Sequence, residues 1–597
     1  MSLRVSELPL AGDEPASFIA RAWRSARLTR LASLGLFAAL TAFVLLTFRD
    51  YGISNDEPVQ HTYGQLLLTW YASGFTDDRA FHYINLYLYG GLFDMIAAGL
   101  EHVVPLPVYE WRHLLSAMFG LFGFVGVWKL ARLLGSEKAG ILAVALLAVT
   151  GMYGGAMFTH TKDVPFAAFM VWSLYCITAL VVRLPEQPRW RVVVGLGLAV
   201  GCAFGQRVGG VFAVLYLLLT VGIAAVVFRD IRLPLRLLPR LCVAGLIALA
   251  IIAVTWPWSM LPPTNFFKAM GAFSNFTFDL STLINGQDTP INELPGTYMS
   301  EYLLIKLPEA TLLGLVAALA VAIVAAAGLV RAGGTGAAIR LHPRRVLAFL
   351  PLGLAIAVPV AFTLIEHPPL YNGIRHFLFV MPPVTILAAL GFRAAWRRMN
   401  ARALPLGLAF GAAALAVYAY NLDIFVRMHP YQYVTYNELV GGTAGAWGRF
   451  EGDYWSDSLR EAAIDLRRGI EHEVQAAPHR YKVAVCAEDV QASTYLGPNV
   501  DMTENWDEAD FLLTARNIGC DDVVSGMTYK TVTRMGIPLA MAVDMRARHT
   551  PLAEPLPWDD RDDGTSKGVD PDAPAVSLKD SGGTAVATQT NPLSATP

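Results

Sequence analysis

The sequence predicts an all-α polytopic membrane protein of about eleven transmembrane helices, with a C-terminal extracytoplasmic α/β domain. Three observations predict it. The chain is 54% hydrophobic and 16% charged, whereas ordinary globular domains carry about 25% charged residues. Apolar stretches of spanning length recur between Leu31 and residue 424. The connections between those stretches are alternately rich and poor in Lys and Arg, which the positive-inside rule requires of a chain that crosses repeatedly.

Residues 1–30 carry Arg4, Arg21, Arg24, Arg27 and Arg30 ahead of the apolar run Leu31–Phe48. A signal peptide shares that pattern. The run is long for a signal core, no small-x-small cleavage site follows it, and many spans come later, so it reads as a retained helix behind a cytoplasmic segment 1–30. Further spans of about 20 residues are expected near 108–130, 139–158, 164–183, 191–206, 208–228, 241–261, 307–330, 346–365, 377–396 and 403–424. The membrane module thus occupies 31–424.

Basic residues collect before the first span, around Lys129/Arg132/Lys138, at Arg183/Arg189/Arg191, at Arg229/Arg232/Arg236/Arg240, at Arg331/Arg340/Arg344/Arg345 and at Arg393/Arg397/Arg398/Arg402. These are alternate connections. The other set is 49–107, 158–163, 206–208, 262–306, 366–376 and everything after about 425. A plasma-membrane protein follows, bacterial inner membrane, with its N-terminus cytoplasmic and its C-terminal domain periplasmic.

That domain is expected over 425–554. Ser458-Leu-Arg-Glu461 reads as a capping box, and Leu459, Ala462, Ala463, Leu466 and Ile470 follow at helical spacing. Lys482–Ala487 and Asp510–Ala515 read as short buried strands. Residues 555–597 turn to Asp, Gly, Pro, Ser and Thr and are expected to be disordered. A formal net charge of −2 and the lack of a basic stripe give no sign of nucleic-acid binding. Cys176, Cys202 and Cys242 fall in apolar runs, whereas Cys486 and Cys520 lie in the polar region and could pair if it is extracytoplasmic.

Polar residues at a membrane face are costly to bury and so informative. The outer set holds Asp56 and Glu57, then His160, Lys162 and Asp163, then Arg207, then Glu293 with Tyr298, and finally Tyr371, Arg375 and His376. Acids and bases from five connections fall on one side. A carboxylate there can take a proton from an attacking hydroxyl, and cations, Arg above all, can grip a departing phosphate. Each group also has a plainer reading. Asp56 before Pro58 suits a helix N-cap, Asp163 before Pro165 does likewise, and Arg207 can snorkel. Tyr and Trp of 63–89 read as an interfacial aromatic belt.

The chain resembles the C-type (GT-C) multi-span glycosyltransferases, in particular the relatives of protein O-mannosyltransferases and of the aminoarabinose transferase acting on lipid A (glycosyltransferase family 39-like). The carrying residues are Asp56-Glu57, KDVPF at 162–166, GQRVGG at 205–210, ELPGTYMSEYLLIKLP at 293–308, YNGIRHFLFVMPP at 371–383 and HPYQYVTYNELVGG at 429–442. GRFEGDYWSDSLREA at 448–462 looks like a continuation. The resemblance implies eleven to thirteen spans and two helices along the membrane at about 57–73 and 86–103. It implies Asp56 as catalytic base and maps the family's second acidic motif to Asp163; the residues themselves suggest Glu57 as an assistant and Arg207, Arg375 and Lys162 on the donor phosphate. His160, Glu293, Tyr298, Tyr371 and His376 would line the substrate. The expected partners are a polyprenyl-phosphate sugar, a lipid, glycan or protein acceptor, and membrane lipids. No cofactor is implied, and a divalent metal stays open although no metal-ligand spacing appears. The external domain is larger than a minimal transferase needs. A lipid-linked sugar flippase and a glycan ligase or polymerase are the competing readings. The first would favour charges at mid-membrane and internal repeats, neither of which the sequence has.

Overall fold

A computed structural model describes residues 15–274, 280–331, 343–476, 479–517, 520, 524 and 526–547. The expected tail 555–597 and the first 14 residues lie outside them.

Every expected span lies wholly or partly on a helix. They are α1 (Pro15–Thr47), α4 (Val108–Leu134), α5 (Glu137–Ala148), α6 (Asp163–Val181), α7 (Trp190–Phe204), α8 (Val211–Val227), α9 (Leu233–Thr255), α12 (Glu309–Arg331), α14 (Leu350–Glu366), α15 (Met381–Arg402) and α16 (Leu404–Arg427). Among the described residues, eight helical stretches are long and apolar enough to cross a membrane, while α7 and α14 are apolar but shorter. The short helix α13 (Pro343–Ala348) leads into α14.

The order of burial sorts these helices. In α6 nearly every side chain is buried, from Asp163 through Val181, and it packs against α4, α7 and α8. A helix apolar all round belongs at the centre of a bundle or against lipid. α9, α12 and α16 take the second place, exposing Leu246, Leu249, Val316, Leu319, Ile323 and Leu415.

The expected span 139–158 is broken. α5 ends at Ala148, and Gly151–Gly155 continues as a wide turn. A Cβ on Gly151 would sit 2.0 Å from the carbonyl oxygen of Gln432. The glycine-rich stretch therefore leaves the helix to let another chain segment pass against its backbone.

Between α1 and α4, α2 (Glu57–Ala72) matches the first expected interfacial helix, but α3 covers only Leu92–Leu100. Gly90 and Gly91 are the reason. Gly91 N–H donates to Thr255 O at 2.8 Å, Leu92 N–H donates to Gly205 O at 2.9 Å, and a Cβ on Gly90 would lie 2.2 Å from the Gly205 carbonyl. The chain here docks its backbone onto the ends of α7 and α9, which sets Tyr89 beside residues following α7. The long connection after α9 carries α10 (Thr264–Ser274), the hairpin β1 (Ser281–Ile284) and β2 (Gln287–Pro290), and α11 (Tyr298–Lys306).

After α16 the chain makes short turns and α17 (Gly442–Ala446), then enters an α/β domain. Its sheet has the order β4-β3-β5-β7-β6, from Val500–Met502, Tyr481–Cys486, Phe511–Ala515, Ile537–Asp544 and Met527–Arg534. β4, β3 and β5 run parallel, and β7 runs antiparallel to both neighbours. α18 (Leu459–Ala476) buries Leu459, Ala462, Ala463, Leu466 and Ile470 against it, the stripe its spacing predicts. α19 (Val490–Leu496) follows β3. Cys486 and Cys520 are joined as a disulfide with Cα atoms 6.4 Å apart.

The capping box is not formed. Ser458 Oγ donates to Asp453, and Glu461 instead accepts from Tyr431 Oη at 3.0 Å and Arg534 Nη2 at 2.6 Å. A buried acid nearby outcompetes the local bond, so these residues tie α18 to the chain leaving the membrane.

Gly90→Val should lower thermal stability in detergent by about 1–3 kcal/mol or more, because the added carbons meet backbone that cannot move aside. Gly222→Ala, with open space around it, should unfold like wild type in the same measurement.

Candidate functional site

The two acids after the first span part company. Asp56 is the N-cap position of α2, yet its side chain makes no capping bond. It stays 40% exposed, and its Oδ2 lies 3.7 Å from Nη1 of Arg375. Glu57 has no exposed surface. Its Oε2 accepts from Ser54 N–H at 2.9 Å and Ser54 Oγ at 3.2 Å and meets His113 Nε2 at 3.1 Å. Its Oε1 lies 3.9 Å from Nε of Arg112, which is held by Asp94 at 2.8 Å. Glu57 is thus a brace between α2 and α4, turned away from the open side where Asp56 sits. The sequence suggests Glu57 as an assistant to Asp56; here its carboxylate is taken up by Ser54, His113 and Arg112.

Asp163 does not cap α6 either. The N-cap position of α6 is Lys162, which makes no side-chain capping bond, and the Asp163 carboxylate is ion-paired with Arg207. Lys162 and Arg207 share the face of Tyr89, with Nζ 4.4 Å and Cζ 5.7 Å from the ring centre. Lys162 is buried, which pushes its pKa down to about 8, against the upward pull of Asp56 and Asp94 and with the further downward push of Arg207 and Arg375.

Arg375 opens the turn that leads into α15. Asn372 and Gly373 precede it with φ of 55° and 67°, and Tyr298 Oη accepts from Gly373 N–H at 3.0 Å. Left-handed backbone suits Asn and Gly. The guanidinium carbon lies over the Tyr371 ring (4.6 Å to its centre) and the Trp455 ring (4.4 Å), and its Nε and Nη1 atoms are buried without hydrogen-bond partners. Those N–H groups are available to a ligand, and a guanidinium is suited to planar recognition of an oxyanion.

Beside these residues lies an apolar cavity of about 330 Å³. Phe166, Phe212, Leu215, Phe362, Leu370 and Phe379 form its walls, while Tyr89, Arg207, Tyr371 and His376 are the polar groups lining it. His376 stacks edge-on against Tyr371 at 4.7 Å, with Nδ1 buried and unpaired.

Other expected substrate ligands take different parts. His160 Nε2 accepts from Trp455 Nε1–H at 3.1 Å and lies 2.8 Å from Tyr454 Oη, while Nδ1 faces Thr159 Oγ1 at 3.3 Å. The indole can only donate, so the ring is a neutral Nδ1–H tautomer. Burial, reinforced by Arg375, Lys306 and Arg207, pushes its pKa well down. His160 is therefore a fastener between the start of α6 and the C-terminal region. Tyr298 is buried under the Gly373 turn, and Tyr371 stacks on Arg375. Glu293 is exposed between β2 and α11, with no hydrogen bond or ion pair to the cluster among the described residues. Among the same residues no three His, Cys, Asp or Glu side chains gather as a candidate ion site.

Sequence reasoning passed over Tyr89, which read as one more belt aromatic, and Trp455. The only signal for Trp455 was its place in GRFEGDYWSDSLREA.

Residues 111–258 match the family model described as dolichyl-phosphate-mannose-protein mannosyltransferase. That stretch includes His160, Lys162, Asp163 and Arg207; Asp56 and Arg375 lie outside it. No curated relative matches the chain. Among solved structures, similarity is found to ArnT from Cupriavidus metallidurans bound to undecaprenyl phosphate, at 15% identity and TM-score 0.44, covering 87% of this chain and 99% of that one. The archaeal oligosaccharyltransferase AglB from Archaeoglobus fulgidus, in complex with an inhibitory peptide and a dolichol-phosphate, is similar at 12% identity and TM-score 0.41, covering 82% and 70%. The arabinofuranosyltransferase AftD from Mycobacteria is similar at 14% identity and TM-score 0.41, covering 86% and 40%. The resemblance to multi-span glycosyltransferases read from the motifs holds over the segment that the family model matches.

The two neighbouring acids should separate in a stability assay. Glu57→Ala leaves Arg112 and His113 buried without their carboxylate and should cost about 3–5 kcal/mol, read as a fall in the unfolding midpoint. Asp56→Ala, at a half-open position, should change that midpoint little.

Proposed function

We propose that this chain is an inverting membrane glycosyltransferase that moves a sugar from a polyprenyl-phosphate donor to a hydroxyl-bearing acceptor on the periplasmic face. One observation carries the reading. An open carboxylate, Asp56, stands 3.7 Å from a guanidinium held against two aromatic rings, in a cluster that borders an apolar cavity. A lipid phosphate has the same division between an apolar tail and an anionic head.

The residues divide the work as follows. The cavity takes part of the polyprenyl chain. Arg375 meets the phosphate through its free N–H edges, with Arg207 and Lys162 adding charge nearby. The acceptor hydroxyl attacks the anomeric carbon while Asp56 takes its proton. The bond from that carbon to the phosphate oxygen breaks, and the polyprenyl phosphate leaves as an anion held by the three cations. Attack from the side opposite the phosphate inverts the configuration. Asp163 is a positioning residue, since its ion pair holds Arg207.

The periplasmic placement is supported by the alternation of basic connections and by the Cys486–Cys520 bond, which persists in oxidising compartments. Asp163, Arg207 and Arg375 come from connections that alternate with the basic ones, which supports a surface transferase over a flippase with charges at mid-membrane.

Asp56→Asn, nearly equal in size, should fold and bind the donor but lose about 10²–10⁴-fold in turnover. Transfer assayed with radiolabelled polyprenyl-phosphate sugars in nanodiscs checks it, and near-normal turnover would sink the role. Lys162 also sets a pH dependence. It is charged below about pH 8, so donor affinity should be highest below that value and weaken as pH rises through it. Titrating donor binding between pH 6.5 and 9.5 should show that inflection in wild type and not in Lys162→Met.

A further inference from the structure

Trp455 belongs to the stretch after Phe450, some eighty residues beyond the Arg375 turn and outside the membrane module. Ser456 follows it with φ of 57°, so the backbone reverses sharply there. The residue is 4% exposed and touches the site in three ways. Its ring lies on Arg375, 4.4 Å from guanidinium carbon to ring centre. Its indole N–H donates to His160 Nε2 at 3.1 Å, which ties it to the segment entering α6. Its carbonyl accepts from Asn55 N–H at 3.3 Å, one residue from Asp56, and from Gln491 Nε2 at 3.1 Å. Gln491 Nε2 also donates to Ile53 O at 2.6 Å, so α19 of the α/β domain grips both strands of the contact.

A stacked guanidinium can still slide and rotate in its own plane unless the rings themselves are fixed. Tyr371 shares the turn with Arg375 and would move with it. Trp455 is anchored from elsewhere, by His160 on one element and by Gln491 and Asn55 on two others. It is therefore the outside reference that sets the plane of Arg375, while its carbonyl fixes the loop that presents Asp56.

We propose that Trp455 is a positioning residue for the anionic head of the donor, and that the C-terminal region completes the phosphate subsite rather than serving as an appended module. This rests on the donor reading given above. Trp455 acts through Arg375, whose unpaired Nε and Nη1 edges it aims at the oxyanion, and through the Asn55–Asp56 backbone, whose distance from that oxyanion it sets.

The test measures binding of undecaprenyl phosphate to the full-length chain in nanodiscs. Trp455→Leu removes the ring face and should weaken binding about tenfold. Trp455→Phe keeps a face without the N–H and should recover most of that loss. In the double variant, Trp455→Leu should add little to the loss caused by Arg375→Ala, because both act on one interaction. A Trp455→Leu protein that binds like wild type, or losses that simply add, would overturn the proposal. If the wild-type chain binds no polyprenyl phosphate, the donor reading fails instead, and hydrogen exchange then decides the positioning role without ligand. Faster exchange over residues 371–378 in Trp455→Leu but not in Trp455→Phe supports it, and equal exchange refutes it.

Discussion

The polar end of the bundle depends on one carboxylate that never meets solvent. An unpaired charge at the place of Glu57 would cost several kcal/mol, so its partners are obligatory: the N–H and O–H of Ser54, the ring of His113 and the guanidinium of Arg112. They pin the first turn of α2 to α4, and through the Arg112–Asp94 pair to α3. A helical step turns the next side chain by about 100°. With Glu57 locked inward, the neighbouring Asp56 is thrown to the open side, and the capping bond that would have occupied it is not made. The exposed acid is available because its neighbour is not.

A second constraint acts through backbone rather than charge. Gly90 and Gly205 lie so close that a Cβ on the first would overlap the carbonyl of the second. That contact brings Tyr89 against Lys162 and Arg207, two cations from different connections. Like charges at such proximity repel, and the structure offsets this with Asp163 on Arg207, with Asp94 and Asp56 acting on Lys162, and with the negative face of the Tyr89 ring. Lys162 still holds its proton less firmly than a free lysine, chiefly because it is buried, with Arg207 and Arg375 adding to the effect.

The apolar runs made the helices legible, since a run of about 20 apolar residues has few other fates. The α18 stripe was legible for the same periodic reason. Breaks were not: TGMYGG reads as tolerable helix until the backbone of Gln432 is seen to need the space. Nor could adjacency separate Asp56 from Glu57, because what distinguishes them is Arg112 and His113, some fifty residues away. His160 looked like a ligand for want of its partners Tyr454 and Trp455, nearly three hundred residues downstream. Ser458 and Glu461 spelled a capping box, but the buried Asp453 took Ser458, and the distant Tyr431 and Arg534 took Glu461. Local pattern fails in each case where a buried polar group is satisfied from far along the chain.

The two arginines of the site are not equivalent, and the difference bears on how an anion would be held. Arg207 already has a carboxylate in Asp163, so an incoming phosphate would share it with an existing partner. Arg375 has no such partner. Its nearest carboxylate, Asp56, stands beyond hydrogen-bonding distance, and the side chain is buried against the Tyr371 and Trp455 rings, where little water can compete. A buried cation with open N–H edges is under-satisfied in the free protein, and an anion that fits those edges relieves that deficit on binding. On the donor reading, Arg375 supplies the directional grip, Arg207 a background charge held in place by Asp163, and Lys162 a charge that pH can remove.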